Sequence, residues 1–253
     1  KQLFSEFNSV SSKQWKQQIQ YELKGADYNE TLVWESPEGI KVKPFYHNDE
    51  FETANLTSSK NAFSILQNIF VHDVKKSNER CVNTLNRGAE SIRFTIENDT
   101  ISIDKLMQNL PLEKVTYYFY LPFLSIDFVT KLNDFATKNN ANFIIQLDPI
   151  GQLCKDGNWF ENLENNFEKL NKISKFQIPT FNINAGIYQN AGANMVQQLA
   201  YTLAHINEYF NRIPSINQSI TIEVSVGTNY FFEIAKLRAL RILFKTLESE
   251  YNH

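Results

Sequence analysis

Two periodicities of hydrophobic and polar residues alternate along most of the chain. Short runs of β-branched and aromatic residues predict strands at 63–71, 91–96, 115–121, 142–147, 180–184 and 220–226. Between and after these runs, apolar residues recur every three or four positions, which predicts helices at 77–87, 103–110, 126–138, 159–173, 193–212 and 229–248. Strands that alternate with helices at this spacing predict a parallel sheet with right-handed crossovers.

The first 60 residues follow a different pattern. The segment from Ser11 to Gln14 resembles a capping box, and apolar residues at every fourth position from Trp15 predict one helix that ends at Gly25. A hairpin is predicted over residues 31–46, with its turn at 36–39. The pattern therefore predicts two parts, an N-terminal arm of helix plus hairpin at 1–60 and an α/β domain at 61–253.

Open doubly wound sheets and closed barrels share this alternation, and six strand–helix units in a row favour a barrel. The predicted fold class is α/β of the (β/α)8 TIM-barrel type, incomplete, with six units. The bulky strand residues Tyr117, Phe119, Ile145 and Leu147 are interpreted as filling its interior. Six strands leave two edges unpaired. A shortened chain is the favoured explanation, since the sequence also lacks an initiator Met; a gene fragment or a fold that covers the edges are the alternatives.

Composition narrows the function classes. The chain has 253 residues and a formal net charge of -3, which gives no electrostatic reason to expect a nucleic-acid partner. No apolar run approaches about 18 residues, so no membrane span is expected. Cys81 and Cys154 are too few and too far apart for a disulfide scaffold or a zinc site, which indicates ordinary thiols and a cytoplasmic location.

Candidate chemistry is sparse. No dinucleotide-binding, P-loop, zinc-protease or serine-hydrolase motif occurs. None of the four histidines has a partner at metal-ligand spacing, which favours structural or solvated roles. Polar residues are found at or near the C-terminal ends of the predicted strands, where a barrel places its functional side chains: Asn68, Asp148, Asn184 and Asn229.

Two carboxylates in this pattern raise specific expectations. Asp148 could act as an acid, a base or a ligand, but Asp before Pro149 is more typical of a turn and a helix start. Glu223 lies within a predicted strand, where a buried carboxylate needs a cation, and Arg238 or Arg241 of the last helix is the expected partner. On chemistry alone, the sequence identifies no active site.

Several segments of the sequence resemble the signatures of a known protein family. Residues 227–241 read GTNYFFEIAKLRALR, and residues 190–193 and 196–204 read NAGA and VQQLAYTLA. These segments resemble signatures of the methylmalonyl-CoA mutases, and weaker matches at 24–28, 39–44, 87–90 and 147–149 follow the family order from end to end. The resemblance implies a (β/α)8 barrel that carries acyl-CoA, joined to a C-terminal domain that binds adenosylcobalamin. The implied reaction is the radical interconversion of methylmalonyl-CoA and succinyl-CoA.

The same resemblance implies that this chain is not catalytic. Where the catalytic subunits carry an Arg and a Tyr beside the substrate, this sequence has Leu66 and Asn68, and Ile187 stands in place of the His that bonds the thioester. The cobalamin-ligating pattern Asp-x-His-x-x-Gly is absent from the sequence. The resemblance therefore implies a small subunit that binds no cofactor itself and supports a catalytic large subunit in a heterodimer, with adenosylcobalamin in that partner.

Within this interpretation the arm at residues 1–60 contacts the partner subunit, with Trp15, Tyr28 and Trp34 as anchors. Two alternatives stay open. An active mutase half could use other side chains, or a diverged barrel could bind acyl-CoA or another small ligand of its own. For the latter, Asp148, Asn182 and Asn184 would be the first residues to test.

Overall fold

A computed structural model describes residues 3–51, 63–213, 216 and 219–251. The chain divides into two compact units, Lys1–Ser58 and Ser59–His253, which are described separately. None of the helices in the described ranges is both long enough and apolar enough to cross a membrane.

The first unit contains two helices and a short hairpin: α1 (Ser12–Glu22), α2 (Tyr28–Leu32), β1 (Trp34–Glu35) and β2 (Lys41–Val42). The capping box at Ser11 is confirmed, since Ser11 Oγ accepts from Gln14 N and the Gln14 side chain accepts from Ser11 N. The hairpin is confirmed with shorter strands. Its predicted start at residue 31 is wrong, because the Asp27 carboxylate accepts from Asn29 N and Glu30 N and starts α2 instead.

The second unit alternates strands and helices as predicted. Its strands are β3 (Leu66–Phe70), β4 (Ser91–Thr95), β5 (Thr116–Tyr120), β6 (Phe143–Gln146), β7 (Phe181–Asn184) and β8 (Ile220–Glu223). Its helices are α3 (Val74–Asn86), α4 (Ile103–Leu106), α5 (Ile126–Asn139), α6 (Pro149–Asp156), α7 (Leu163–Ile173), α8 (Gly186–Asn190), α9 (Met195–Arg212) and α10 (Tyr230–Glu250). The sequence indicated the start of α6 at Asp148 but not its extent, and the short helix α8 was not predicted. α7 begins at Leu163 because Asn162 caps it.

The strands are parallel and stand in chain order. β3, β4, β5 and β6 form one four-stranded sheet, and β7 and β8 form a two-stranded one. A parallel bridge between Leu147 and Phe181 links the two sheets. The α/β class with a parallel sheet is thus confirmed, whereas the described residues do not form a closed barrel. Over the described ranges, β3 and β8 each pair with a strand on one side only.

The six strands are strongly curved. Arg93 on β4 and Glu223 on β8 form an ion pair, with 2.7 Å between Nη1 and Oε2. Four strand spacings separate β4 from β8, about 19 Å in a flat sheet, which is further than these two side chains reach. The contact therefore requires the strands to curl around a shared concave face, which carries polar side chains.

The bulky residues of the central strands lie on the opposite, convex face. Strand neighbours alternate between faces, so Tyr117, Phe119 and Ile145 point away from the side that carries Arg93. Their neighbour Phe143 stacks on Phe135 of α5, with ring centroids 5.6 Å apart. The interpretation that Tyr117, Phe119, Ile145 and Leu147 fill the interior is therefore wrong: this face forms the core between sheet and helices.

A buried ion pair fixes the start of α10. Lys236 Nζ lies 2.6 Å from Glu233 Oε2, and both side chains are almost fully buried. Lys236 also donates to Gln198 Oε1 of α9 and to the Ser225 carbonyl after β8. Glu233 Oε1 accepts from Gly227 N at 2.8 Å. The pair thus joins α10, α9 and the loop that follows β8.

Replacing Phe119 tests the convex core. Phe119 is fully buried, so Phe119→Ala should lower the free energy of unfolding by about 3–5 kcal/mol through lost burial and an unfilled cavity. Phe70→Ala is the matched control, since Phe70 belongs to the same sheet but is 51% exposed. Urea unfolding followed by circular dichroism measures both; equal losses in the two variants would contradict this assignment of faces.

Removing the buried cation tests the anchor of α10. Lys236→Met leaves Glu233 buried without its ionic partner, which should cost about 3–5 kcal/mol of unfolding free energy. Adding Glu233→Gln should restore part of that loss. Lys172→Met, which breaks an exposed pair with Glu168, is the control and should change little. Thermal and urea unfolding of the wild type, both single variants, the double variant and the control give the comparison, and additive losses in the double variant would argue against a coupled pair.

Candidate functional site

A cavity opens on the concave face at the carboxyl ends of the strands. Its volume is about 530 Å³. It is lined by Arg93, Thr95, Tyr120, Cys154, Lys155, Asn184, Ile187, Asn190, Ala191 and Glu223. Parallel strands that share this edge bring their C-terminal side chains together, which is where (β/α) folds place functional groups.

Arg93 contacts side chains of three other strands on this face. Its Nη1 donates to Glu223 Oε2, and its Nε donates to Asn68 Oδ1 at 2.8 Å. Its guanidinium also lies 6.0 Å from the centre of the Tyr120 ring. The expectation of an arginine partner for Glu223 is confirmed, but Arg238 and Arg241 are the wrong ones, because the curvature of the sheet brings a strand residue 130 positions earlier within reach.

Asp148 is the centre of a second polar cluster. As the N-cap of α6 it accepts from Gly151 N at 2.8 Å, which confirms the helix-start interpretation. Its carboxylate also accepts from Asn184 N at 2.9 Å and from the Tyr209 hydroxyl at 2.8 Å, and His205 Nε2 lies 2.8 Å from Oδ1. Asp148 therefore binds four groups, which belong to α6, the end of β7 and α9, a role that the sequence did not indicate.

The cluster extends from His205 towards the cavity. The Tyr188 hydroxyl lies 3.0 Å from His205 Nδ1. Burial raises the pKa of the Tyr188 hydroxyl, and nearby Cys154 and Asp148 raise it further. Burial and the Asp148 carboxylate likewise raise the pKa of Tyr209 well above its usual value. Both tyrosines are therefore neutral hydrogen-bonding groups at physiological pH.

The two cysteines differ in their surroundings. Cys81 is buried, and this burial raises the pKa of its thiol to about 12, so it is an inert core residue. Cys154 has exposed surface at the cavity wall. Desolvation by the protein around its sulfur raises the pKa of the thiol. Cys154 is thus an accessible thiol that is not activated as a nucleophile.

The remaining candidates lie apart from one another. Asn229 caps α10 by accepting from Phe232 N, and Asn182 Oδ1 accepts from Gln146 Nε2 beneath the cavity. Leu66 belongs to the edge strand β3, whereas Ile187 lines the cavity. His47 in the first unit pairs with Asp49. His253 lies outside the described residues.

The arrangement offers no evident metal site. Within the described ranges, no group of three or more His, Cys, Asp and Glu side chains is placed to hold a metal ion. The buried His205 uses both ring nitrogens in hydrogen bonds, so it does not fit as a ligand for cobalt or another metal. The site can bind polar groups through Asn184 and Lys155, but it holds no polarising histidine.

The sequence favoured a structural or solvated role for His205 in a helix, but it did not indicate the partners of His205, and it missed Tyr188 and Tyr209. One signal was available: His205 and Tyr209 are four residues apart and share a face of α9. Their partner Asp148 lies 57 and 61 residues earlier, and such pairings depend on the tertiary fold.

Known proteins resemble the chain over nearly its whole length. Residues 95–253 match the family model of methylmalonyl-CoA mutase. The methylmalonyl-CoA mutase small subunit of Porphyromonas gingivalis is 28% identical over 283 residues, which cover 98% of this chain and 46% of that protein. A methylmalonyl-CoA mutase of Cereibacter sphaeroides is 26% identical, covering 94% of this chain and 42% of the relative. The large subunit of Streptomyces virginiae is 21% identical, covering 96% and 41%.

The chain spans less than half the length of these curated relatives. The family model nevertheless matches well over half of the chain, and both small-subunit and large-subunit proteins are among the relatives. The chain belongs to the methylmalonyl-CoA mutase family.

Proposed function

We propose that this chain is a structural, non-catalytic small subunit of an adenosylcobalamin-dependent methylmalonyl-CoA mutase. In that complex the large subunit interconverts methylmalonyl-CoA and succinyl-CoA and holds the cofactor. The similarity to a small subunit over 98% of the chain supports the subunit assignment. The family model supports the reaction class.

The side chains on the concave face support the proposal that this chain is not catalytic. Ile187 lines the cavity where the resemblance implies a thioester-binding histidine, and an alkyl side chain donates no hydrogen bond. Asn68, in place of the implied tyrosine, accepts from Arg93 instead. Arg93 is in turn paired with Glu223, so its charge is already neutralised. A substrate carboxylate would have to displace that pair.

We propose that the curved sheet is part of a (β/α)8 barrel. Six parallel strands in chain order, curved until β4 reaches β8, support this geometry. Two more parallel strands between β8 and β3 would pair both free edges and close the ring.

The partner contact is assigned to the first unit. Its exposed large apolar side chains include Phe4, Phe7, Trp15, Tyr21 and Trp34, each at least half exposed. Aromatic groups of this kind are typical anchors of subunit interfaces. Tyr28 is not available as an anchor, because it is only 6% exposed and its ring lies under the Lys16 ammonium. Trp15 and Trp34 remain the proposed anchors.

Association with a cognate large subunit tests the structural role. Trp15→Ala and Trp34→Ala should each weaken the heterodimer at least tenfold in Kd, because large aromatic side chains dominate interface energies. Tyr201→Ala is the control, since Tyr201 on α9 is 48% exposed but belongs to the second unit. Calorimetric titration gives the affinities. Failure of the correctly folded wild-type chain to bind would refute the role.

Cofactor stoichiometry tests the non-catalytic assignment. The purified heterodimer should bind one cobalamin, and the isolated chain should bind none and turn over no methylmalonyl-CoA. Difference absorption spectra measure the cobalamin, and chromatography of the CoA esters measures turnover. Cobalamin-dependent turnover by the isolated chain would overturn the assignment while leaving family membership intact.

The cavity supports one alternative function. In this alternative the chain is a diverged barrel that itself binds acyl-CoA or another small ligand. About 530 Å³ beside Asn184 and Lys155 is enough for a small molecule. Calorimetric titration of the isolated chain with acyl-CoA distinguishes the two: saturable binding that is lost in Asn184→Ala would favour the alternative.

A further inference from the structure

Two helices flank the gap between the edge strands β3 and β8. α3 follows β3 and α10 follows β8, and each helix packs against a neighbouring helix on one side. Asn78 of α3 donates to the Leu106 carbonyl of α4 at 2.8 Å, and Lys236 of α10 donates to Gln198 of α9 at 3.1 Å. The opposite side of each helix is therefore turned towards the gap.

The gap side of α3 is basic. Lys76, Arg80 and Arg87 are exposed and follow one another at helical spacing, on the side opposite α4. With Ile65, which precedes β3, they line an open groove of about 740 Å³. Glu79 also lines this groove, so three cations and one anion give it a net charge of +2.

The gap side of α10 is basic as well. Arg238, Arg241 and Lys245 are exposed and share a face that is distinct from the buried face of Lys236. Ile234 lies on the same face and is 42% exposed. Among the residues that the structure describes, none of these three cations forms an ion pair, and the same holds for the three cations of α3.

The edge of β3 beside this groove pairs with no strand in the described part of the chain. Ile65 and Val71 direct their backbone hydrogen bonds to β4, so Asn68, at an alternate position, directs its own backbone groups towards the gap. Its carbonyl accepts from Gln67 Nε2 at 3.2 Å. A side chain thus takes a place where the N–H of a neighbouring strand would bond.

We propose that the segment that closes this gap is acidic. One of its strands pairs with the free edge of β3, and its helices direct Asp and Glu side chains at the cations of α3 and α10. The proposal rests on the (β/α)8 barrel proposed above and adds the charge of the closing segment. An apolar or basic cover would take these cations out of water without a partner, which is unfavourable, whereas carboxylates on the covering helices offset that cost and fix their position.

A second copy of this chain fits the gap less well. Two copies that met through these edges would bring basic helices against basic helices, and like charges in an interface disfavour association. The whole chain has a formal net charge of -3, so the cations at the gap are a local feature and not a consequence of composition.

Two synthetic peptides test the charge of the occupant. Both are strand–helix sequences of about 30 residues, identical except that the exposed helix positions carry Glu in one and Lys in the other. Fluorescence anisotropy with the full chain measures their affinities. The acidic peptide should bind about tenfold more tightly than the basic one at low ionic strength. The difference should fade in about 1 M salt, where charges are screened over about 3 Å.

Charge reversal locates the binding surface. Arg80→Glu with Arg87→Glu should weaken binding of the acidic peptide about fivefold and strengthen binding of the basic one. Arg238→Glu with Arg241→Glu should act in the same direction. Lys131→Glu is the matched control, because Lys131 is an exposed cation on α5, away from the gap, and it should leave both affinities unchanged. Far-ultraviolet circular dichroism checks that each variant is folded.

Three results would overturn the acidic occupant. These are equal binding of the two peptides, binding of neither peptide, and binding that the reversals on both helices leave unchanged. Dimerisation of the wild-type chain that these reversals alter, measured by analytical ultracentrifugation, would assign the gap to a second copy instead. Association with the large subunit is measured separately, so the subunit role stands or fails independently of these outcomes.

Discussion

The curvature that brings Arg93 of β4 to Glu223 of β8 is the constraint on which the rest of the second unit depends. Arg93 and Glu223 belong to strands that are four positions apart, and among the described residues no backbone hydrogen bonds join the edge strands β3 and β8 into a ring. Both side chains are partly exposed, so the pair is spared the full desolvation penalty of a buried one. A contact of this kind contributes modestly to stability, but it is satisfied only when the sheet is curved.

The two faces of the sheet follow from that curvature. The concave face gathers charged and amide side chains, which hydrogen-bond one another across strands, as Asn68 does with Arg93. The convex face then has to supply the hydrophobic core, and it does so with aromatic rings such as Phe119 and Phe143, whose centroids lie 4.7 Å apart. Asp148 completes the arrangement at the rim by fixing α9 and the end of β7 to the start of α6.

Local signals in the sequence were enough for the order and type of the longer elements. α5 is an example: Ser125 caps its start, apolar residues recur along it, and Asn140 ends it in the left-handed conformation. The short helix α8 lacks a side-chain cap, so it gives no such signal. The face assignment of Tyr117 failed for another reason. Period-two alternation tells which residues share a face, but both faces of these strands carry bulky residues, and periodicity alone does not tell which face the helices cover.

The family signature and the position at which the resemblance implies a thioester-binding histidine lie in different parts of this chain. The signature at 227–241 corresponds to the anchor of α10, where Glu233 binds Lys236 and the amide of Gly227. A side chain at Gly227 would come within 3.2 Å of that carboxylate, which explains why a glycine suits the position. The signature is therefore a packing motif, and it can persist where the chemistry does not. Ile187, which has no hydrogen-bonding side chain, lies on the short helix α8 at the cavity, outside the residues that hold the fold together. A change there costs the fold little, so a chain of this family can keep its architecture while losing its reaction.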